Sequence, residues 1–278
     1  MILAPVSALE PKRVRLGEIL NELGRVLIAY SGGVDSAVLL AEAHRVLGDR
    51  AQGIIARSPS LPEAELKQAL ALAGEHGIPV RVIETEEMER AEYRANRPDR
   101  CYHCKTELFE RLETLAREEG WDAIAYGAVT DDLGDVRPGM TAADRHRVRA
   151  PLLEAGLSKV EVRMLARRLG LRVWDKPQSA CLASRIPHGT EVTVEKLKQV
   201  ERGEAALREK LGLRVVRLRH EGRKARIEVA PADVPRLQRP EEKEAILAIV
   251  QELGFAELEI DPRGYRRADP LPMPDQED

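Results

Sequence analysis

Residues 26–36 read VLIAYSGGVDS. Five apolar residues, Val26 to Tyr30, run directly into two glycines set between polar side chains. AVLLAEAHRVL (37–47) follows, with its apolar positions at helical spacing. A buried strand, a tight glycine turn and an amphipathic helix in that order form the opening of a βαβ unit. The two glycines let the backbone come close to a ligand, and the free amides of the helix start point at it, so this loop suits an anion. Ser31 and Ser36 add hydroxyl donors. The GxxxxGK[ST] spacing and its lysine are missing, so this is not a Walker A loop. A lone double glycine is commonly an ordinary turn; here strand, loop and helix agree.

The same alternation continues outward from this stretch. Gly53–Ala56, Val80–Ile83 and Asp122–Tyr126 read as further strands, PEAELKQALALAGEHG (62–77) and TELFERLETLAREEG (106–120) as helices. Ser158 and Glu161 form a capping-box pattern before VRMLARRLG (162–170). Apolar strands alternating with helices predict a parallel sheet covered on both faces, with ligands at the carboxyl ends of its strands. After Pro187-His188-Gly189 the character changes. A long charged helix (194–212), two alternating strands (213–220 and 224–230), a helix (241–254) and a last strand (256–260) make a small α+β unit. The expected organisation is an α/β domain over 1–186, the α+β unit over 187–262, and a Pro-rich, acidic, disordered tail over 263–278.

Composition narrows the function classes. The chain has 278 residues, 43% hydrophobic and 33% charged, enough for a sizeable core. With 44 basic against 47 acidic residues the net charge is −3, which gives no global attraction to nucleic acid. No signal peptide or membrane span is read from the pattern, and a reduced, cytoplasmic setting suits three cysteines.

Those cysteines are Cys101 and Cys104, in CYHCK (101–105), and Cys181, in QSACLASR (178–185). An odd count does not make a simple disulfide framework. A CxxC can be a metal knuckle, a redox pair or accidental. Zinc would want a fourth ligand, and His103 lies between the cysteines where it cannot easily reach the same ion. Three thiolates with one open position suit an iron–sulfur cluster. A basic group completes the candidates: Arg185, with Arg217 and Arg219 on one face of a predicted strand, suited to a phosphate or simply a solvated face. Glu204 and Glu228 are possible magnesium ligands or plain surface charges.

SGGVDS (31–36) resembles the pyrophosphate loop of the N-type ATP pyrophosphatases, which include NAD synthetase, GMP synthetase and tRNA thiolases. These enzymes cleave ATP between the α and β phosphates. The resemblance implies that Ser31, Gly32, Gly33, Asp35 and Ser36 hold the phosphates with Mg2+, and that residues 53–58, Arg57 among them, and Tyr126-Gly127 flank the nucleotide. TDDLGDVRPGMTAA (130–143), VRAPLLEAGLSKVEVRMLARRLGLRVWDKPQSACLASRIPHG (148–189) and RLRHEGRKARIEV (217–229) narrow it further. Together they are similar to the LarE-type sulfur transferases of nickel-pincer nucleotide synthesis, over roughly residues 10 to 260.

That resemblance implies adenylation of the carboxylates of a pyridinium dicarboxylate mononucleotide and their conversion to thiocarboxylates. Asp35, Ser36 and Cys181 take the catalytic roles, Ser184, Arg185, Arg217 and Arg219 the substrate, Glu204 and Glu228 the magnesium. Two forms of this chemistry occur in the family. In one, a lone cysteine gives up its own sulfur; in the other, a CxxC pair joins it to hold a 4Fe-4S cluster. Cys101, Cys104 and Cys181 together match the second. The expected partners are the small-molecule mononucleotide, a sulfur donor and other cofactor-maturation proteins, in a homo-oligomer with no membrane or nucleic acid. A tRNA thiolase and sacrificial use of Cys181 are the alternatives.

Overall fold

In a computed structural model, residues 9–134, 138–177 and 180–265 are described. The first sheet is four-stranded and wholly parallel, in the order β3-β2-β1-β4: β1 is Val26–Ala29, β2 Ala51–Arg57, β3 Val80–Glu84 and β4 Ala123–Tyr126. Central strand β1 is buried along its whole length, and its alternation sends Val26 and Ile28 into one core and Leu27 and Ala29 into another. The helices α1 (Leu9–Glu22), α2 (Val34–Leu47) and α3 (Glu63–Glu75) pack against the first face. The other face is covered by α5 (Arg100–Glu119) and α6 (Pro138–Arg145), which follow the single-turn α4 (Ala91–Arg94). The short α7 (Pro151–Glu154) and α8 (Lys159–Arg168) return to the first face. A parallel sheet sandwiched between helix layers is the arrangement that the near-continuous apolar strands require.

The capping box at Ser158 forms: its Oγ accepts from the Glu161 amide at 3.3 Å, and Glu161 Oε2 accepts from the Ser158 amide at 2.8 Å. The helix holding CYHCK begins at Arg100, six residues before the expected start at Thr106. Its apolar stripe starts only at Phe109, which is fully buried against the sheet, so periodicity could not register the polar first turn. Cys101 and Cys104 therefore stand one helical turn apart.

The second sheet has the order β5-β6-β7: β5 (Val216–Glu221) and β6 (Lys224–Val229) form an antiparallel hairpin, and β7 (Glu257–Ile260) pairs parallel to β6. Its apolar face packs on α9 (Val194–Leu211) and α11 (Pro240–Glu252), joined through α10 (Val234–Leu237). The same core takes in Tyr93, Leu182, Ala183 and Ile186, so it crosses the expected boundary at 186. Residues 263–265, expected in the tail, are part of this unit, with the Tyr265 amide donating to the Val229 carbonyl at 2.7 Å. The rest of the expected tail, 266–278, lies outside the described residues. Among those residues no helix is long and apolar enough to cross a membrane.

Candidate active site

The loop after β1 is shaped by glycine. Gly32 has φ +71, and a Cβ on it would stand 2.6 Å from the Ala69 Cβ of α3, so only glycine lets the loop lie this close. Gly33 holds the N-cap position of α2 without any side-chain cap, which leaves the first-turn amides for a ligand. Ser31 and Ser36 face each other, Oγ to Oγ, at 3.0 Å, and Ser36 Oγ also reaches the Gly33 carbonyl at 3.1 Å. Gly127, just past β4, comes so close to α2 that a Cβ would meet the Ser36 amide nitrogen at 2.7 Å. The loops after β1 and β4 thus meet over the switch point of the sheet, where a doubly wound fold places its ligand. Arg57 ends β2 but turns to Glu84 on the neighbouring strand, at 3.2 Å.

Asp35 is paired with Lys159 of α8 through Oδ2, while its Oδ1 is buried without a hydrogen-bond partner among the described residues. Burial pushes its carboxyl above the usual range, against the lowering effect of Lys159. Lys176 bonds Glu65 of α3 at 2.6 Å and lies 3.5 Å from the Gly32 carbonyl. These two lysines are the cations that the loop itself lacks. They reach it from 124 and 144 residues away in the chain, and no local spacing marks them.

The cysteines come next. The Leu182 amide, adjacent to Cys181, donates to the Ser60 carbonyl in the loop after β2 at 2.9 Å. Asn96, at φ +53, donates to the carbonyls of Ile186, Pro187 and Thr190, and Arg100 bonds the Ala183 carbonyl at 2.9 Å. The segment just before CYHCK thereby holds the chain around Cys181. Cys104 and Cys181, both half-buried, pack against one hydrophobic cluster, and Cys101 at the helix start is exposed. Burial, then Glu87 and Cys181, push the Cys104 thiol up to about 12, with Cys101 a smaller contributor. Cys104 and Cys181 therefore share one wall of the core, and Cys101 stands a helical turn from Cys104. Among the described residues they are not arranged as a metal-binding group. Three cysteines are the donor type that an iron–sulfur cluster takes.

The basic group divides in an unexpected way. Arg185 is 2% exposed and spends its donors inside the protein: Nε and Nη2 on Glu204 at 2.8 and 3.3 Å, Nη1 on the Ala180 and Cys181 carbonyls and on Ser184 Oγ. It is a strut under the Cys181 turn, with most of its donors engaged inside the protein. Glu204 is equally engaged, taking Arg208 at 2.8 Å and the Leu218 amide at 3.2 Å besides Arg185. Glu228 receives Arg219 at 2.7 Å and Arg226 at 2.7 Å. Each of the two carboxylates expected to hold magnesium is thus paired with two arginines. Arg219 also holds the Ser184 carbonyl at 2.9 Å.

Arg217 differs from these. It is buried, donates to the Val216 carbonyl, stacks over Tyr265 at 5.1 Å, and has no ion-pair partner among the described residues. Burial and the nearby Arg185 charge lower its pKa, the mark of a guanidinium short of an anion. Arg185→Met is expected to cost about 3 kcal/mol in urea unfolding, since it leaves Glu204 buried with one cation fewer.

Comparison with known proteins decides the family. The chain is 34% identical over 262 residues, 94% of both chains, to the pyridinium-3,5-bisthiocarboxylic acid mononucleotide synthase of Lactiplantibacillus plantarum. It belongs to the LarE-type sulfur transferases. Membership makes it an ATP-using sulfur transferase built on a pyrophosphate-loop fold. An uncharacterised protein of Synechocystis sp. is 43% identical over 258 residues, 93% of this chain and 96% of its own. A tRNA-specific 2-thiouridylase of Geobacter metallireducens is 33% identical over 198 residues, covering 56% of this chain and 53% of its own. No family model matches the chain.

Proposed function

We propose that the chain adenylates the carboxylates of pyridinium-3,5-biscarboxylic acid mononucleotide and converts them to thiocarboxylates for nickel-pincer cofactor synthesis. The observation that carries this reading is the continuity between the pyrophosphate loop and Cys181. Lys176 touches the pyrophosphate loop, and Cys181, five residues on, is tied to the loop after β2 through the Leu182–Ser60 bond.

A substrate carboxylate oxygen attacks the α phosphorus of ATP, the bond to the bridging oxygen breaks, and pyrophosphate leaves. Loop amides, Ser31 and Ser36 cradle the departing phosphates, and Lys159 and Lys176 offset their charge. Asp35, whose Oδ1 is the unpartnered carboxylate oxygen at the loop, is placed to meet Mg2+ on those phosphates; at Glu204 and Glu228 a metal would have to displace an arginine. Masking the carboxylate as an acyl adenylate turns an inert oxygen into a leaving group, and attack by sulfur on the acyl carbon then expels AMP. Arg217 holds the mononucleotide phosphate, as the guanidinium with donors to spare, and Ser184 and Arg219 set the turn that presents Cys181.

Cys101, Cys104 and Cys181 would hold a 4Fe-4S cluster, whose open iron supplies a replaceable sulfide. A second reading is favoured by one observation, that the three thiols do not form a metal-binding group among the described residues. In that reading the Cys181 thiolate attacks the acyl adenylate and AMP leaves. Loss of the Cys181 Cα proton to a base then breaks its Cβ–S bond, giving thiocarboxylate and dehydroalanine. With ATP, Mg2+ and the mononucleotide, the purified protein is expected to release AMP and pyrophosphate in step with thiocarboxylate, resolved by mass spectrometry. Pyrophosphate release that ignores the mononucleotide, or thiolation of tRNA in its place, would contradict the reading.

A further inference from the structure

Lys176 reaches the pyrophosphate loop from a turn-rich segment after α8, and one buried residue of that helix decides where the segment lies. Arg163 is 5% exposed. Its Nη1 donates to the Trp174 carbonyl at 2.6 Å, and its Nη2 to the Lys176 carbonyl at 3.0 Å. The Lys176 amide donates in turn to the Val173 carbonyl at 3.0 Å. Both backbone polar groups of Lys176 are thus held. Trp174, which takes the other bond, is seated against the first-sheet core, with Arg167 over its ring at 5.3 Å. From this pinned backbone the Lys176 side chain runs to Glu65 and the Gly32 carbonyl.

An arginine is a costly way to hold two carbonyls. A buried charge is expensive unless an opposite charge meets it, and no carboxylate lies at ion-pair distance from Arg163 among the described residues. Two features make a guanidinium fit. Its planar fork fixes two acceptors at once, here on residues 174 and 176, whereas an ammonium pivots about a single point. Its charge is also felt in the loop. Lys159 and Arg163 stand one turn apart on α8, and Lys159 pairs with Asp35. Burial raises the Asp35 carboxyl, and Lys159 first, then Arg163, pull it back. One turn of α8 therefore sends a cation to Asp35, and the next anchors a second cation, Lys176, at Gly32.

We propose that Arg163 is a positioning residue for adenylation: by holding the Trp174 and Lys176 carbonyls it sets the Lys176 ammonium at the pyrophosphate loop, where it meets the departing phosphates. The inference rests on the phosphate role proposed for Lys176. Arg163 acts through that lysine, with both of its terminal nitrogens engaged on carbonyls.

A double-mutant cycle on pyrophosphate binding tests this, with inorganic pyrophosphate and Mg2+ as the probe and calorimetry as the readout. Lys176→Met is expected to weaken binding about thirtyfold, the scale of one hydrogen bond between charged groups. Arg163→Lys keeps the charge but cannot span both carbonyls, and should weaken binding about tenfold. In the Lys176→Met background the same change should alter binding by less than about twofold, because the group it aims is gone. Should Arg163→Lys fail to fold, Arg163→Gln, which can still donate to one carbonyl, takes its place. The charge it removes acts alike in both backgrounds and cancels from the cycle.

Equal losses in both backgrounds would overturn the proposal, since a residue that merely supports the fold weakens binding whether or not Lys176 is there. Wild-type protein that binds no pyrophosphate, or binding that Lys176→Met leaves unchanged, would overturn it too, for then Lys176 meets no phosphate. The probe contains no mononucleotide. Failure of the sulfur-transfer reading therefore shows separately, as missing thiocarboxylate beside an intact binding cycle.

Discussion

Asp35→Asn is expected to lower pyrophosphate release by about 10²–10³-fold, the effect of removing one preorganised charge from a phosphoryl-transfer site. The cause is local. Asp35 is the only loop side chain with a formal charge, its Oδ1 has no hydrogen-bond partner among the described residues, and its Oδ2 orients Lys159. The same substitution should leave the fold intact. Burial raises the Asp35 carboxyl above its unfolded value in spite of Lys159. Its ionised form therefore costs stability at neutral pH, and that cost fades as pH falls through the raised pKa. Asparagine removes the charge at every pH, so the melting temperature at pH 7 should hold or rise while activity collapses. A protein that melts earlier and loses activity in proportion would mean that Asp35 is a structural residue. Thermal melts beside a pyrophosphate assay separate the two cases.

Cys181→Ala is expected to do the opposite. Pyrophosphate release stays within a few-fold of wild type, and thiocarboxylate formation falls by about 10⁴ or more, the usual scale for loss of a reacting nucleophile. Cys181 sits at the start of the turn formed by Leu182–Arg185, with its carbonyl held by Arg185, and no bond of its side chain supports the pyrophosphate loop. Cys101→Ala divides the two sulfur sources. If three thiols hold a cluster, repeated turnover is lost and iron falls. If Cys181 acts alone, the exposed Cys101 can be removed without effect on the single sulfur transferred.

Much of the first domain is legible in the sequence because its signals are local. Val26–Tyr30, the two glycines and the residues after them state the strand, the loop and the helix start within eleven residues. The order and register of β1 between β2 and β4 are not written in those runs and come only with folding. What the sequence leaves dark is set by contacts between distant segments. Lys159 and Lys176 lie in no phosphate motif, and only folding brings them to Asp35 and Gly32. Arg185 and Glu204 are buried against each other by the fold, and nothing in their spacing shows that they pair.

Tyr93 reads as an ordinary residue of a polar stretch. Its burial comes from a core that also takes in Leu182 and Ala183, some ninety positions later. The start of α5 at Arg100 is hidden for a simpler reason: its first turn carries the cysteines and presents little apolar surface to mark a period.

The central claim is that CYHCK and Cys181 act as one sulfur-handling site, and iron with acid-labile sulfide in protein purified without oxygen tests it most directly. About four of each per chain, lost in Cys181→Ala and in Cys101→Ala alike, is the predicted result. Three titratable thiols with no iron, before and after anaerobic reconstitution, would contradict it.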